Sequence, residues 1–229
     1  MIEQQPAPAA VRVWDLPLRL VHWAMAALLV VLVATAKIGG DAMDWHVRAG
    51  ETMLALVLFR ILWGFLGSHH ARFASFVRGP RVVLAYTRSL LRPVHAQFVG
   101  HNPLGGWMVL LLLVALLVQA SSGLFSNDDI ATEGPLAHMI SKDLSDMISS
   151  FHSIDAWFVL ALAGIHVAAT LFYLIQFKEN LIGPMVDGIK ELPAISDKEI
   201  PDHASLSRAV ALFALCALAV WLLVTRKGL

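Results

Sequence analysis

Charge is what this chain has least of. Only 15% of its 229 residues are Asp, Glu, Lys or Arg, where a soluble domain carries about a quarter. The deficit is concentrated in long stretches that hold almost no charged side chain. Seventeen cations balance seventeen anions, so net charge gives no reason to expect a nucleic-acid partner. Cysteine is nearly absent: Cys216 stands alone inside an apolar run. That excludes an intrachain disulfide and any multi-cysteine metal site, and it leaves the redox compartment unreadable from thiols. No internal repeat and no low-complexity tract is found.

What is present is apolar length, together with ten histidines and seven tryptophans. A membrane span takes about 20 apolar residues to cross about 30 Å of hydrocarbon. Residues 17–36, 48–66, 104–123, 151–177 and 206–224 meet that requirement. They predict an all-α integral membrane protein: a four-helix bundle, a fifth C-terminal transmembrane helix and almost no soluble domain. The first span ends in Ala34-Thr35-Ala36, which imitates a signal-cleavage pattern. Its apolar run exceeds the roughly 7–15 residues of a signal core, so it reads as a retained helix. A short amphipathic helix is expected at 81–91, and 178–205 reads as a mixed-charge linker.

Orientation follows from Lys and Arg in the short loops. Between spans two and three stand Arg72, Arg78, Arg81, Arg88 and Arg92 with no acidic residue. Between spans three and four, Lys142 faces Asp128, Asp129, Glu133, Asp143 and Asp146. The first loop is expected in the cytoplasm and the second outside, with the N-terminus cytoplasmic. Arg226 and Lys227 then fall on the outer side, against the rule.

Ionisable side chains within spans are costly and normally face the bundle interior with a partner. His22 lies inside span one and His166 inside span four, while His46 and His152 border the outer ends of spans two and four. Fourteen residues separate His152 from His166, about 21 Å or four turns of helix, and return to within about 40° of the same face. With the topology above, His22 pairs by depth with His166, and His46 with His152. Two levels of two imidazoles suit two flat metal macrocycles held axially, haem above all. Zinc would want four ligands at one point, and a proton relay would want carboxylates in the spans, where none sits centrally.

Other residues carry less. His69 and His70 are expected to be solvated, and His95, His138 and His203 to be loop residues without evident partner. His101 borders span three and reads either as a quinone contact, with Asn102, or as a helix-start residue. Gly50 and Gly164 lie close in sequence to proposed ligands; they either admit a porphyrin or serve ordinary helix packing. Arg48, at the outer level, could meet a propionate, whereas Arg19 could meet one at the inner level or snorkel to headgroups. Trp14, Trp23, Trp45 and Trp107 read as interfacial anchors. Methionine ligation is not expected.

The histidines sit in motifs that resemble a known family. Trp14-Asp15-Leu16-Pro17-Leu18-Arg19-Leu20-Val21-His22-Trp23 resembles the opening of bacterial di-haem cytochromes of the b561 type, a group that includes the cytochrome b subunit of nickel–iron hydrogenases. His46-Val47-Arg48-Ala49-Gly50, Arg60-Ile61-Leu62-Trp63-Gly64, Gly100-His101-Asn102-Pro103-Leu104-Gly105-Gly106 and His152…His166 follow in the same order. The resemblance covers 12–177. It implies a four-helix core with two b haems on His22, His46, His152 and His166. It also implies electron transfer between membrane quinone and a periplasmic partner, such as a c-type cytochrome or a hydrogenase or dehydrogenase subunit. Residues 178–229, including span five, lie beyond that core. Some relatives of this type resemble superoxide:quinone oxidoreductases, which would require a positively lined outer funnel; only Lys37, Arg48 and Lys142 could build one here.

Overall fold

The computed structural model describes residues 9–90, 98–192 and 204–225. His95, His203, Arg92, Arg226 and Lys227 therefore lie outside the described residues. Among those described, five helices are long and apolar enough to span a membrane: α1 (Leu16–Ile38), α2 (Ala42–Leu66), α5 (Pro103–Gly123), α6 (Lys142–Gln176) and α8 (Leu206–Thr225). The chain is a multi-pass, mostly helical membrane protein, as its composition requires.

α1, α5 and α6 begin where the sequence supplies a side-chain cap. Asp15 accepts from the Leu18 N–H at 2.8 Å, with Pro17 in the first turn of α1. Asn102 accepts from the Gly105 N–H at 2.8 Å ahead of Pro103, and Ser141 caps α6. α1 gives way to α2 through Gly39 and Gly40 at φ +67° and +55°, a left-handed pair that only glycine adopts cheaply.

α2 is the hub. More than half of its apolar window is buried, against at most 22% for any other span. It packs on α1, α5 and α8, and α5 packs on α6. Met53, Val57 and Leu113 fill the seam between α2 and α5. Leu29 of α1 meets Ala115, Leu116, Val159 and Leu162 of α5 and α6 in an apolar layer at mid-height. α8 lies against α2 through Ala209, Cys216 and Val220, all buried.

Two helices start earlier than expected. α2 takes in His46, and α6 runs for 35 residues, about 52 Å, so its first ten or so residues stand clear of a hydrocarbon layer of about 30 Å. Their seryl and acidic side chains hid this continuation from a hydropathy reading. Short α3 (Phe73–Phe76) and amphipathic α4 (Pro80–Ser89) follow α2. The basic loop and the acidic loop occupy opposite ends of the bundle, here called the basic and acidic ends.

At the basic end the expected linker is partly built. α7 (Gly183–Asp187) leads into β2 (Ile189–Leu192), which pairs antiparallel with β1 (Ala9–Arg12) in the register Ala9↔Leu192 and Arg12↔Ile189. Four-residue strands without alternation carry too little pattern to be read from sequence. Arg19 and Trp23 of α1 donate to the Val186 and Met185 carbonyls at 2.5 and 3.0 Å, so this segment is fastened to the bundle. Trp23, Trp45 and Trp107 are exposed as interfacial anchors should be, but Trp14 is buried with its ring tilted against His101.

Candidate functional site

The four membrane histidines come from three helices and meet in two pairs. The His22 and His166 ring centres lie 6.2 Å apart near the basic end, and those of His46 and His152 lie 6.4 Å apart near the acidic end. Metal–imidazole bonds of about 2 Å, with each ring centre about 1 Å behind its nitrogen, place two coaxial ligands about 6 Å apart. Rings hydrogen-bonded directly would approach more closely. Among the described residues no three His, Cys, Asp or Glu side chains converge. Each level thus offers two donors only, which suits a group that brings its own equatorial ligands.

Hydrogen bonds orient the acidic-end pair. His46 Nδ1 donates to the Leu32 carbonyl at 3.0 Å and lies 3.2 Å from Thr35 Oγ1, leaving its Nε2 lone pair free. A carbonyl that fixes the tautomer in this way is a usual support for a ligating imidazole. His152 Nδ1 lies 2.9 Å from Ser122 Oγ, which itself donates to the Gln119 carbonyl, and the Gln119 amide approaches His152 Nε2 at 3.1 Å. Gly123 is pressed against this ring: a Cβ there would stand 3.0 Å from His152 Cε1.

Buried polar atoms mark the same two levels. Six such atoms lack a partner among the described residues: Arg19 Nε, His22 Nδ1, Arg60 Nη1, His101 Nδ1, Gln119 Oε1 and Asp155 Oδ2. The first four belong to the basic-end level and the last two to the acidic-end level. A folded interior rarely leaves such atoms unsatisfied, and their clustering at the histidines points to a polar-edged group bound there. A Cβ on Gly50 or Gly164 would meet nothing within 4 Å. The residues present fit a porphyrin at each level.

Arg60, Ser122, Gln119, Gly123 and Asp155 were not singled out by residue type or spacing. Arg60 stood in view as a charged residue in an apolar span, the one signal that could have found it. Asp155 lies one turn beyond His152, at the acidic-end level rather than the centre.

Expected cofactor contacts divide. Arg48 is exposed over the Trp45 ring, 5.8 Å from its centre. Arg19 is committed to the Val186 carbonyl. His101 is held between Trp14 and Phe76, each 4.6 Å away, and burial followed by the Arg60 charge lowers its pKa to about 3. Asn102 uses its side-chain oxygen as the α5 cap and its amide to reach the Tyr173 hydroxyl. His69 is exposed, and His70 is half-buried with Gly100 packed against its ring.

The model of the prokaryotic cytochrome b561 family matches residues 13–188. A probable Ni/Fe-hydrogenase B-type cytochrome subunit of Azotobacter chroococcum mcd 1 is 27% identical over 212 residues, 78% of this chain and 88% of that protein. One from Bradyrhizobium diazoefficiens is 25% identical over 79% and 86% of the two chains. The probable Ni/Fe-hydrogenase 1 B-type cytochrome subunit of Escherichia coli K12 is 23% identical over 82% and 94%. No solved structure matches. With the family pattern covering α1 through α7 and the paired histidines within it, the chain belongs to the prokaryotic cytochrome b561 family.

Proposed function

We propose that this protein is a di-haem b-type cytochrome of the bacterial inner membrane. It passes electrons between a redox partner docked at the acidic end and a quinone at the basic end. The observation that carries the reading is the pair of histidine couples, 6.2 and 6.4 Å between ring centres, held at opposite ends of one bundle. His22 and His166 would hold one haem b, and His46 and His152 the other. Bound haem supplies reversible one-electron chemistry at iron.

The chain's own residues do the rest. Leu32 and Ser122 orient the acidic-end imidazoles. The layer of Leu29, Leu116, Val159 and Leu162 excludes water between the levels, so protons and ions do not follow the electrons. His101 and Asn102 flank the basic-end level, where quinone would exchange protons with the cytoplasm. The core is taken as 12–177, with 178–229 as its extension. The hydrogenase named for the relatives is the first partner to test, ahead of other dehydrogenase subunits and c-type cytochromes.

A stand-alone superoxide:quinone oxidoreductase finds little support. Lys37 sits over Trp157, Arg48 over Trp45, and Lys142 is neutralised by Asp129 and Asp146. These dispersed cations do not line a funnel.

The test is a pyridine haemochrome assay with an optical redox titration on purified protein. Two b haems per chain are expected, both low-spin. His152→Ala should remove the acidic-end component and His166→Ala the basic-end one. A colourless protein, or spectra unmoved by all four histidine replacements, would overturn the reading.

A further inference from the structure

We infer that Arg60 forms a carboxylate-binding subsite at the basic-end histidine level, and that its occupant is a propionate of the porphyrin held between His22 and His166. The inference rests on the functional reading above.

Arg60 is 4% exposed, on α2 within the membrane-spanning bundle. A guanidinium there loses its hydration and needs a counter-charge. One face of it rests on Phe73, 5.3 Å from the ring centre, a contact that supplies attraction but no anion. No ion pair or hydrogen bond joins Arg60 to another described residue, and its Nη1 is buried without a partner. The acid whose charge it feels is Asp15, and that carboxylate is engaged elsewhere. Asp15 Oδ1 caps α1, and Oδ2 accepts from Trp63 Nε1 at 3.0 Å and Ser68 Oγ at 2.5 Å.

The guanidinium lies close enough to His22 and His101 for its charge to act on both rings. His101 adds a second buried nitrogen without a partner, Nδ1, beside it. α2 is held in this rotation by its neighbours: Phe59 meets Phe213 of α8 edge-on, and Gly64 packs so closely on Phe73 that a Cβ would not fit. Arg19, the cation nearest His22 in sequence, already serves the Val186 carbonyl. A rigid, planar, enclosed fork matches a carboxylate in two-point contact, and so little exposed a cation is out of reach of lipid headgroups. A buried positive charge beside one iron centre would favour its reduced form.

The test is an optical redox titration of purified Arg60→Gln, Arg60→Met and Arg60→Lys proteins, after haem content has been measured. In Arg60→Gln or Arg60→Met the basic-end midpoint should fall while the acidic-end midpoint holds. Arg81→Gln, an exposed cation of α4, should move neither. If both neutral variants lose haem, resonance Raman spectra of Arg60→Lys decide: the propionate bending mode of one haem should shift. Full haem with unmoved midpoints, or an unshifted mode in Arg60→Lys, overturns the inference. So does a change confined to the KM for a soluble quinone analogue, which would assign Arg60 to quinone. Fewer than two haems in the unmodified protein would instead overturn the functional reading itself.

Discussion

The two ends of the bundle handle charge in opposite ways. At the basic end charges are buried: Arg60, and the Lys190–Glu179 pair at 2.7 Å with each side chain 8% exposed. β2 and α7 fold back onto α1 through Arg19 and Trp23, Lys190 also reaches the Phe98 carbonyl, and α4 sends Tyr86 to meet Tyr173, hydroxyl to hydroxyl, at 2.7 Å. At the acidic end the loop's ion pairs stay in water, and Asp155 on α6 is the buried exception. Lys142 is 57% exposed, and its partners Asp129 and Asp146 are 70% and 44% exposed. Such surface pairs contribute little to stability. The lesson is a division of labour: one end is locked by buried polar groups, and the other presents a water-facing loop beside a projecting helix.

The largest expected effect breaks the lock. Glu179→Leu leaves Lys190 buried without its carboxylate and should cost about 3 kcal/mol, read as a lowered melting temperature in detergent. The double change with Lys190→Met should recover most of it. Equal melting in all three proteins would erase the contrast between the ends. Asp146→Ala, the matching cut at the acidic end, should lower the melting temperature far less.

A smaller effect sharpens the comparison from the other side. Gly123→Val inserts atoms where even a Cβ would stand 3.0 Å from His152, so the imidazole must shift. Electron paramagnetic resonance of the oxidised protein should show one low-spin signal altered and the basic-end signal intact. An unchanged spectrum would mean that His152 tolerates a displaced ring.

The smallest effect is local. Thr132, Ile130 and Ala131 donate backbone hydrogen bonds to Asp128 Oδ1 at 2.8, 3.0 and 2.9 Å, holding that carboxyl well below its usual range. A depressed carboxyl pKa stabilises the folded loop above about pH 4. That contribution is lost only as pH falls through the lowered folded value. Asp128→Ala should therefore speed amide exchange at residues 130–132 at neutral pH without moving the melting temperature. A protein-wide change in exchange would show the loop to be coupled to the bundle.

Much of this was legible before any coordinates. The five spans came from apolar length, because hydrocarbon thickness fixes how many residues a helix needs. The histidine pairing came from depth, because helical rise converts residue number into height. What escaped were features that depend on non-local contacts. Gly123 is ordinary in sequence until His152 leans on it, and Asp15 looks like a helix cap until Trp63 and Ser68 share its second oxygen. Trp14 fits the sequence rule for an interfacial tryptophan yet is buried, because His101 and Gly100 pack against its ring.

By itself, then, the sequence determined that the chain crosses a membrane, how many times, and which imidazoles stand at equal heights. These are one-dimensional properties, set by hydropathy and the fixed geometry of the helix. Only the tertiary structure decided that the rings approach to a metal's width, that Arg60 is buried with no hydrogen-bond partner for its Nη1 while Arg19 reaches the Val186 carbonyl, and that β1 pairs with β2 at one end. Those depend on how helices rotate and which side chains fill the space between them, and packing settles that through contacts between residues far apart in the chain.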